Sequence, residues 1–405
     1  KKRSEIFSSI YTLQLLFASL SVFAYLVYVY FFSGNKGYSL LQVFYVLSGM
    51  FDINWLFFGM EDFKLTVTRK VLVKIANVVC IFAFVKKSTD LWKYLFILSF
   101  GYFIAQSSMW IFSSRYVRFH FVKLNDAVKH FKEIIILFVP LIATSIYRMM
   151  DKVMIGQFNT MRQVGFYENS EKLVNVCLCV ISAFGAVMMP RMSNLYAQNK
   201  SSECANLFTR SMEIAMFIGC AIAFGISSVA KEFIPIFYGD GYEECVNITV
   251  MLSSTVIFIT WACIIRTLYL IPTEKNRIYI YSVFFGAGVN IVINWMLIPR
   301  FASIGAAVGT IVAEVTVAVY QTVMVRNDLD ISECIKKAIP FIAFGTIMFV
   351  VVRETPIVVG KSVVLMVVKI GIGATVYLAL SIIYFIKTKN QLFYDVLGKV
   401  IKLRK

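Results

Sequence analysis

Long apolar runs separated by short polar connections dominate the chain. A bilayer core of about 30 Å needs about 20 apolar residues per helix. On that measure the pattern predicts twelve spans, over residues 6–32, 38–59, 68–85, 91–113, 134–157, 165–190, 207–230, 246–271, 279–299, 302–325, 338–352 and 362–386. The longest connection, 114–133, is too short to hold a separate folded domain.

Composition narrows the class. Of 405 residues, 59% are hydrophobic and 16% charged, whereas soluble domains average about 25% charged. That excludes a soluble globule, a disordered chain and a secreted disulfide scaffold. The eight cysteines form no Cys-x-x-Cys pair and read as small buried hydrophobes. The chain opens on Lys-Lys-Arg with no secretory signal before the first apolar run, and so reads as starting inside a longer protein.

A net charge of +17 would point to nucleic acid in a soluble protein. Here the basic residues lie mainly between apolar runs, where they report topology. With the N-terminus inside, the inside connections and tail hold about 25 Lys and Arg and the outside connections about 9. This count places Lys64, Arg69 and Lys70 in an inside connection. Both termini are predicted cytoplasmic, and nucleic acid is not an expected partner.

An internal repeat supplies the architecture. Gly37-Tyr38 matches Gly241-Tyr242, Trp55 matches Trp261, and Asn77 matches Asn290. Gly101, Ala105 and Gln106 match Gly309, Ala313 and Glu314. The expected fold is an all-α polytopic membrane protein. Two six-helix lobes are related by a pseudo-two-fold axis along the membrane normal, with two extra helices and without the first two helices of the first lobe. The segments are a partial N-lobe over 1–113, a cytoplasmic linker over 114–133 and a C-lobe over 134–325. Two additional helices over 326–386 and a basic amphipathic tail over 387–405 complete it.

Ionisable residues inside spans are costly and mark function or a paired structural role. Arg148, Asp151 and Lys152 share one helix face. They read either as an interfacial ion pair with a snorkelling lysine or as an anion site with a positive surplus. Pro140 precedes them and removes one backbone hydrogen bond, which leaves a bend or hinge and a static kink equally open there. Glu168 and Lys172 are spaced to pair, and Asn169 and Tyr167 adjoin them. Arg266 closes its span either by snorkelling or by meeting a phosphate. Glu314 lies deep in its span and Asp52 lies in the membrane near Trp55. Gly305 and Gly309 form a Gly-xxx-Gly motif read as helix packing. No nucleophile, nucleotide or metal motif is present, which argues against an enzyme.

Four stretches carry a family resemblance: Phe51-Asp52-Ile53-Asn54-Trp55-Leu56-Phe57-Phe58-Gly59-Met60-Glu61-Asp62-Phe63; Asp151-Lys152-Val153-Met154-Ile155-Gly156 with Val164-Gly165-Phe166-Tyr167-Glu168-Asn169; Val187-Met188-Met189-Pro190-Arg191-Met192-Ser193; and Ile298-Pro299-Arg300-Phe301-Ala302-Ser303-Ile304-Gly305-Ala306-Ala307. Together they resemble the Wzx-type polysaccharide (O-antigen or capsule) repeat-unit flippases. These belong to the multidrug/oligosaccharidyl-lipid/polysaccharide exporter superfamily.

The resemblance implies a bacterial cytoplasmic membrane protein that flips undecaprenyl-diphosphate-linked oligosaccharide between leaflets by alternating access. On it, Arg148, Lys152 and Arg266 are the expected pyrophosphate contacts, and Asn169, Tyr167 and Trp55 the expected sugar contacts. Asp52, Asp151, Glu168 and Glu314 are the expected ion-coupling or charge-balancing acids. No cofactor is expected; the coupling ion is a proton or sodium. Expected partners are the lipid-linked oligosaccharide, the bilayer and other polysaccharide-assembly membrane proteins. The rival readings are a cation-coupled multidrug exporter of the same superfamily and a membrane glycan polymerase or ligase.

Overall fold

The structure is a computed structural model and describes residues 2–60, 62–117, 120, 145, 149–198, 200–355 and 362–388. Every regular element among the described residues is helical. Arg148, Pro140, most of the 114–133 connection and the 390–405 tail lie outside them. The chain divides into two compact units, Lys1–Val139 and Pro140–Lys405.

In the first unit α1 runs over Lys2–Phe31. The span expected over 38–59 is not continuous. It is three short helices: α2 (Lys36–Leu41), α3 (Val43–Ser48) and α4 (Asn54–Gly59). Asp and Asn compete for backbone groups and favour breaks, and the Asp52 carboxylate accepts from the Asn54 backbone N–H at 3.0 Å.

A break in an apolar helical segment frees carbonyls that must find donors. Gln14 of α1 donates to the Gly49 and Asp52 carbonyls at 2.9 and 2.8 Å. Tyr11 donates to Met50 at 3.0 Å and Trp110 to Phe51 at 3.2 Å. Phe7, Tyr11, Ile53, Leu56, Phe57 and Met109 form the core beneath the break.

Helix α5 (Phe63–Phe84) starts earlier than the predicted 68, capped by Asp62, which accepts from the Leu65 N–H at 3.4 Å. Arg69 and Lys70 therefore sit within a helix and not in a connection. The early start follows from the cap: backbone hydrogen bonding begins at the side chain that satisfies the first N–H groups, whatever the apolar run does. Helices α6 (Leu91–Ser107) and α7 (Trp110–Ser113) complete the unit.

In the second unit the stretch 149–158 is helical. Helices α8 (Met161–Ala197) and α9 (Ser201–Tyr238) outrun the predicted spans at both ends. The predicted 246–271 span is α10 (Glu244–Ser253), α11 (Thr255–Ile265) and a closing π turn, Arg266–Leu270. Helix α12 covers Asn276–Val325 but breaks at Ala302, whose φ is 48°. Helices α13 (Ile331–Glu354) and α14 (Ser362–Lys387) follow. The predicted 338–352 span is thus a turn or more too short.

The break in α12 makes a hairpin. Pro299 removes a backbone donor from the turn, and Ala302 takes a positive φ with ψ −129°, a sparsely populated conformation that costs an L-residue about 1–3 kcal/mol. The two limbs then meet in register. Ser282 accepts from Gln321 at 2.9 Å, Gly286 faces Val317, and Gly309 faces Asn294. A Cβ at Gly305 would lie 2.6 Å from the Leu297 carbonyl carbon, so only glycine fits there. The Gly-xxx-Gly motif packs one limb on the other, as expected. The large core of this unit gathers Met192, Phe208, Met212, Ile265, Leu268 and Phe341.

Among the described residues, eight helical segments are long and apolar enough to cross a membrane, by length and composition. The long α12 counts as one of them although it is two limbs. Helix α5 is not among them, and it carries Lys64, Arg69, Lys70 and Lys74.

Candidate functional site: two buried carboxylate networks

Asp52 in the first unit and Asp151 in the second each sit inside a polar cluster. In the first, Asp52 sits on the broken segment between α3 and α4. Its Oδ1 accepts from the Asn54 amide at 2.6 Å, and its Oδ2 accepts from Gln106 of α6 at 3.1 Å. Asn54 also donates to Gln106 Oε1 at 2.8 Å. Arg69 closes the cluster from α5. It donates to Asn54 Oδ1 at 2.8 Å, to Gln106 Oε1 at 3.2 Å, and to the Ala105 carbonyl. Arg69 is 9% exposed, and its Nε has no partner among the described residues.

A buried guanidinium needs a counter-charge, and Asp52 supplies it through the shared amides. The same amides orient the carboxylate, so the α3–α4 break, α5 and α6 are fixed by one polar knot. Arg69, Asn54 and Gln106 form a cluster around Asp52 that the sequence reading missed as a group. The available signal was Thr66 and Arg69, spaced i,i+3 on one face of an apolar helix.

In the second unit Asp151 is 5% exposed. Its Oδ2 accepts from the Tyr167 hydroxyl at 2.6 Å and from Thr310 at 2.9 Å. Its Oδ1 accepts from the Asn294 amide at 2.6 Å, and that amide also reaches Asn290 Oδ1 at 3.0 Å. The donors come from α8 and from both limbs of the α12 hairpin. No cation contacts Asp151 among the described residues. Asn294 Oδ1 and Asn290 Nδ2 are buried without a partner there. Asn290 and Asn294 are spaced i,i+4 in an apolar helix, a pattern visible in the sequence but read there only as a repeat position.

The other predicted residues fall as follows. Lys152 pairs with Glu171 at 2.9 Å and is partly exposed. Glu168 pairs with Lys172 at 2.8 Å, the spacing expected from the sequence. Tyr167 is buried, with its hydroxyl spent on Asp151 and Thr310. That places it inside the polar network and not on a surface open to a sugar. Asn169 is half-buried, and its carbonyl accepts from Tyr238 at 3.0 Å. Trp55 is half-buried, stacks on Phe7 at 5.3 Å and donates to Gln14 at 3.0 Å. Arg266 opens the π turn, with its guanidinium 5.3 Å from the Tyr279 ring centroid and 3.5 Å from Cys263 Sγ. Glu314 is half-buried on α12. Arg148 lies outside the described residues.

Away from the apolar segments, Lys275 and Asp328 join the 271–275 and 326–330 connections at 2.8 Å. The Lys275 ammonium holds the Asp328 carboxyl below its usual range. Asp328 in turn raises Lys275.

The fold is that of a polytopic helical membrane protein. The chain superposes on the "Lipid II flippase MurJ, inward closed conformation" with a TM-score of 0.76, covering 96% of this chain and 85% of that one at 14% identity. At that identity the likeness concerns the fold.

Sequence comparisons narrow the kind. Residues 1–196 match the family model described as polysaccharide biosynthesis protein. The chain is 24% identical over 336 residues to the "Putative O-antigen transporter" of Shigella dysenteriae, covering 80% of this chain and 82% of that protein. It is 23% identical over 208 residues to the "Capsular polysaccharide biosynthesis protein CapF" of Staphylococcus aureus, covering 49% and 50%. The resemblance to Wzx-type polysaccharide repeat-unit flippases is thereby borne out. The chain is a multi-pass helical membrane protein whose matches include a putative O-antigen transporter and a flippase, consistent with a protein that is not an enzyme.

Proposed function

We propose that this protein flips an undecaprenyl-diphosphate-linked oligosaccharide from the cytoplasmic to the outer leaflet of a bacterial cytoplasmic membrane, with both termini cytoplasmic. The observation that carries this reading is ionisable side chains held among apolar helices in a chain similar to O-antigen and capsule proteins. A lipid tail can stay in hydrocarbon, but a diphosphate and sugars cannot cross it unaided. Cationic groups at membrane depth give the headgroup a path.

Lys152 and Arg266 serve as diphosphate contacts, and Arg148 joins them. Both Lys152 and Arg266 are partnered softly, one by a partly exposed carboxylate and one by an aromatic face. A phosphate can therefore replace the partner at modest cost. Asn169 and Trp55 offer half-buried polar and aromatic surface to sugars.

Asp151 is the coupling acid in this scheme, taking up a proton or sodium ion. Support comes from its burial, the absence of a cationic partner among the described residues, and the unpartnered Asn294 oxygen beside it. Asp52 and Glu168 balance charge, each beside its own cation. Alternating access then follows from the rocking of two helical bodies.

Deletion of the gene, followed by leaflet-resolved analysis of lipid-linked glycan, tests the proposal. Intermediate held on the cytoplasmic side, cleared by re-expression, is the expected result. Normal surface glycan together with new drug sensitivity would replace the flippase by the multidrug exporter.

A further inference from the structure

Gln14 of α1 is bonded three ways. Its amide nitrogen donates to the Gly49 and Asp52 carbonyls at 2.9 and 2.8 Å, and its amide oxygen accepts from the Trp55 indole N–H at 3.0 Å. A primary amide carries two N–H donors and one acceptor oxygen, so both donors and the oxygen are engaged. Turned over, the amide would set its oxygen against two carbonyls and its nitrogen against an indole N–H. The three partners together therefore fix its orientation.

These bonds bracket the helix break. Gly49 and Asp52 are the first and last of four consecutive residues whose carbonyls accept from side chains. Between them, Met50 accepts from Tyr11 and Phe51 from Trp110. Gln14 reaches both ends of the stretch. Helix α4 begins two residues after Asp52 and carries Trp55 in its first turn. One side chain thus holds both the backbone that leads to Trp55 and the edge of its ring.

The indole is also held by its face. Phe7 stacks on it with centroids 5.3 Å apart and planes 29° apart, and Phe7 is itself buried. Phe7, Tyr11 and Gln14 are spaced i, i+4, i+7, one face of α1. Trp55 remains half-buried, so part of the ring stays open while one face and one edge are fixed. Contact between a sugar ring and an aromatic face depends on the tilt of that face. A binding side chain needs its rotamer locked by the packing and hydrogen bonds around it.

We propose that Gln14 is a positioning residue for the sugar contact at Trp55: it sets the tilt of the indole and, through Asp52, the start of the helix that carries it. The inference rests on the sugar contact proposed above for Trp55.

The test uses the full-length protein in a strain deleted for its gene, with surface glycan measured per folded transporter. Two changes separate the roles of Gln14. Gln14→Met removes all three bonds. Benzothienylalanine in place of Trp55 puts sulfur where the indole has N–H, so it removes the bond to Gln14 and leaves the carbonyl bonds intact. Both should lower export by about two- to tenfold, the scale of one hydrogen bond between neutral groups. Only Gln14→Met should also lower the melting temperature. In protein labelled with fluorotryptophan, Gln14→Met should move the fluorine signal of Trp55, assigned by its loss in Trp55→Phe, and leave the signals of the other four tryptophans in place.

An unmoved Trp55 signal in Gln14→Met overturns the positioning role. So does wild-type export by the benzothienylalanine protein when Trp55→Phe is impaired. If Gln14→Met accumulates too poorly to measure, the benzothienylalanine protein decides by itself. Wild-type export by Trp55→Phe, with the Trp55 signal still responding to Gln14→Met, instead removes the sugar contact on which the inference rests.

Discussion

Asp52 and Asp151 are carboxylates in apolar surroundings, one in each unit, and they are stabilised in different ways. Asp52 is half-buried on a helix break and has a guanidinium across two shared amides. Asp151 is buried and receives three hydrogen bonds from neutral donors. The first arrangement is electrically closed, with the Arg69 charge held across the amides that bind Asp52. The second is open: the carboxylate is solvated by dipoles, and a proton or cation arriving there meets no competing positive charge among the described residues. One carboxylate is thus held beside a cation and the other, among the described residues, by neutral donors alone.

The largest expected effect comes from opening the closed network. Arg69→Met removes three hydrogen bonds and leaves Asp52 uncompensated. It should lower stability by up to about 3–5 kcal/mol, the scale for breaking a buried ion pair, read as a fall in unfolding temperature in detergent. Pairing it with Asp52→Asn should recover part of that loss. The same change at the other acid, Asp151→Asn, should cost little stability and instead remove the ion dependence of transport in proteoliposomes. Equal behaviour of the two Asp→Asn variants would erase the distinction.

A smaller effect probes the open network. Tyr167→Phe removes one hydrogen bond to a buried carboxylate, worth about 1.5–3 kcal/mol, and should shift the ion-dependence midpoint of transport. Tyr11→Phe in the first unit removes only a bond to a neutral carbonyl, worth about 0.5–1.5 kcal/mol. Thermal unfolding of the two variants side by side should reproduce that order.

Close packing offers a third comparison. Asn77 faces Gly101 in the first unit, as Asn294 faces Gly309 in the second. Asn294 is fully buried, whereas Asn77 is half-buried. Gly309→Ala should therefore cost about 1–3 kcal/mol, the range for overpacking a core. Gly101→Ala should cost less, because Asn77 has room to swing aside. Expression level and melting temperature of the two alanine variants separate them.

The smallest effect belongs to the Lys275–Asp328 link, whose side chains are both 39% exposed. Such a pair contributes about 1 kcal/mol or less. The Asp328 carboxyl is lowered, so its share is present above the unfolded carboxyl value of about 4 and fades as pH falls through the folded value. Lys275 is raised, so its share is full below the unfolded value of about 10.4 and is lost as pH rises through the folded one. Lys275→Met should flatten melting temperature against pH at both ends while leaving the middle nearly unchanged.

What the one-dimensional pattern conveyed is plain at particular residues. The Glu168–Lys172 pair and the Gly305–Gly309 packing were legible because their partners lie within one or two turns or across a tight hairpin. The helix break at Asp52 was not, because its freed carbonyls are satisfied from α1 and α7, as far as Phe51 is from Trp110. Arg69 was misplaced because a count of charges between apolar runs assigns a residue by its neighbours, not by its cap. Tyr167 resembled a ligand contact in a polar stretch until its hydroxyl was found on Asp151.

Sequence alone determined that this is a multi-pass helical membrane protein resembling polysaccharide flippases, because apolar run length and local motifs express energies that act between near neighbours. Tertiary structure alone decided that, among the described residues, Asp52 lies across two amides from a guanidinium while Asp151 meets only neutral donors. Asp151 meets Asn294 and Thr310 across 143 and 159 residues, and a hydrogen bond forms only where folding has brought both ends together.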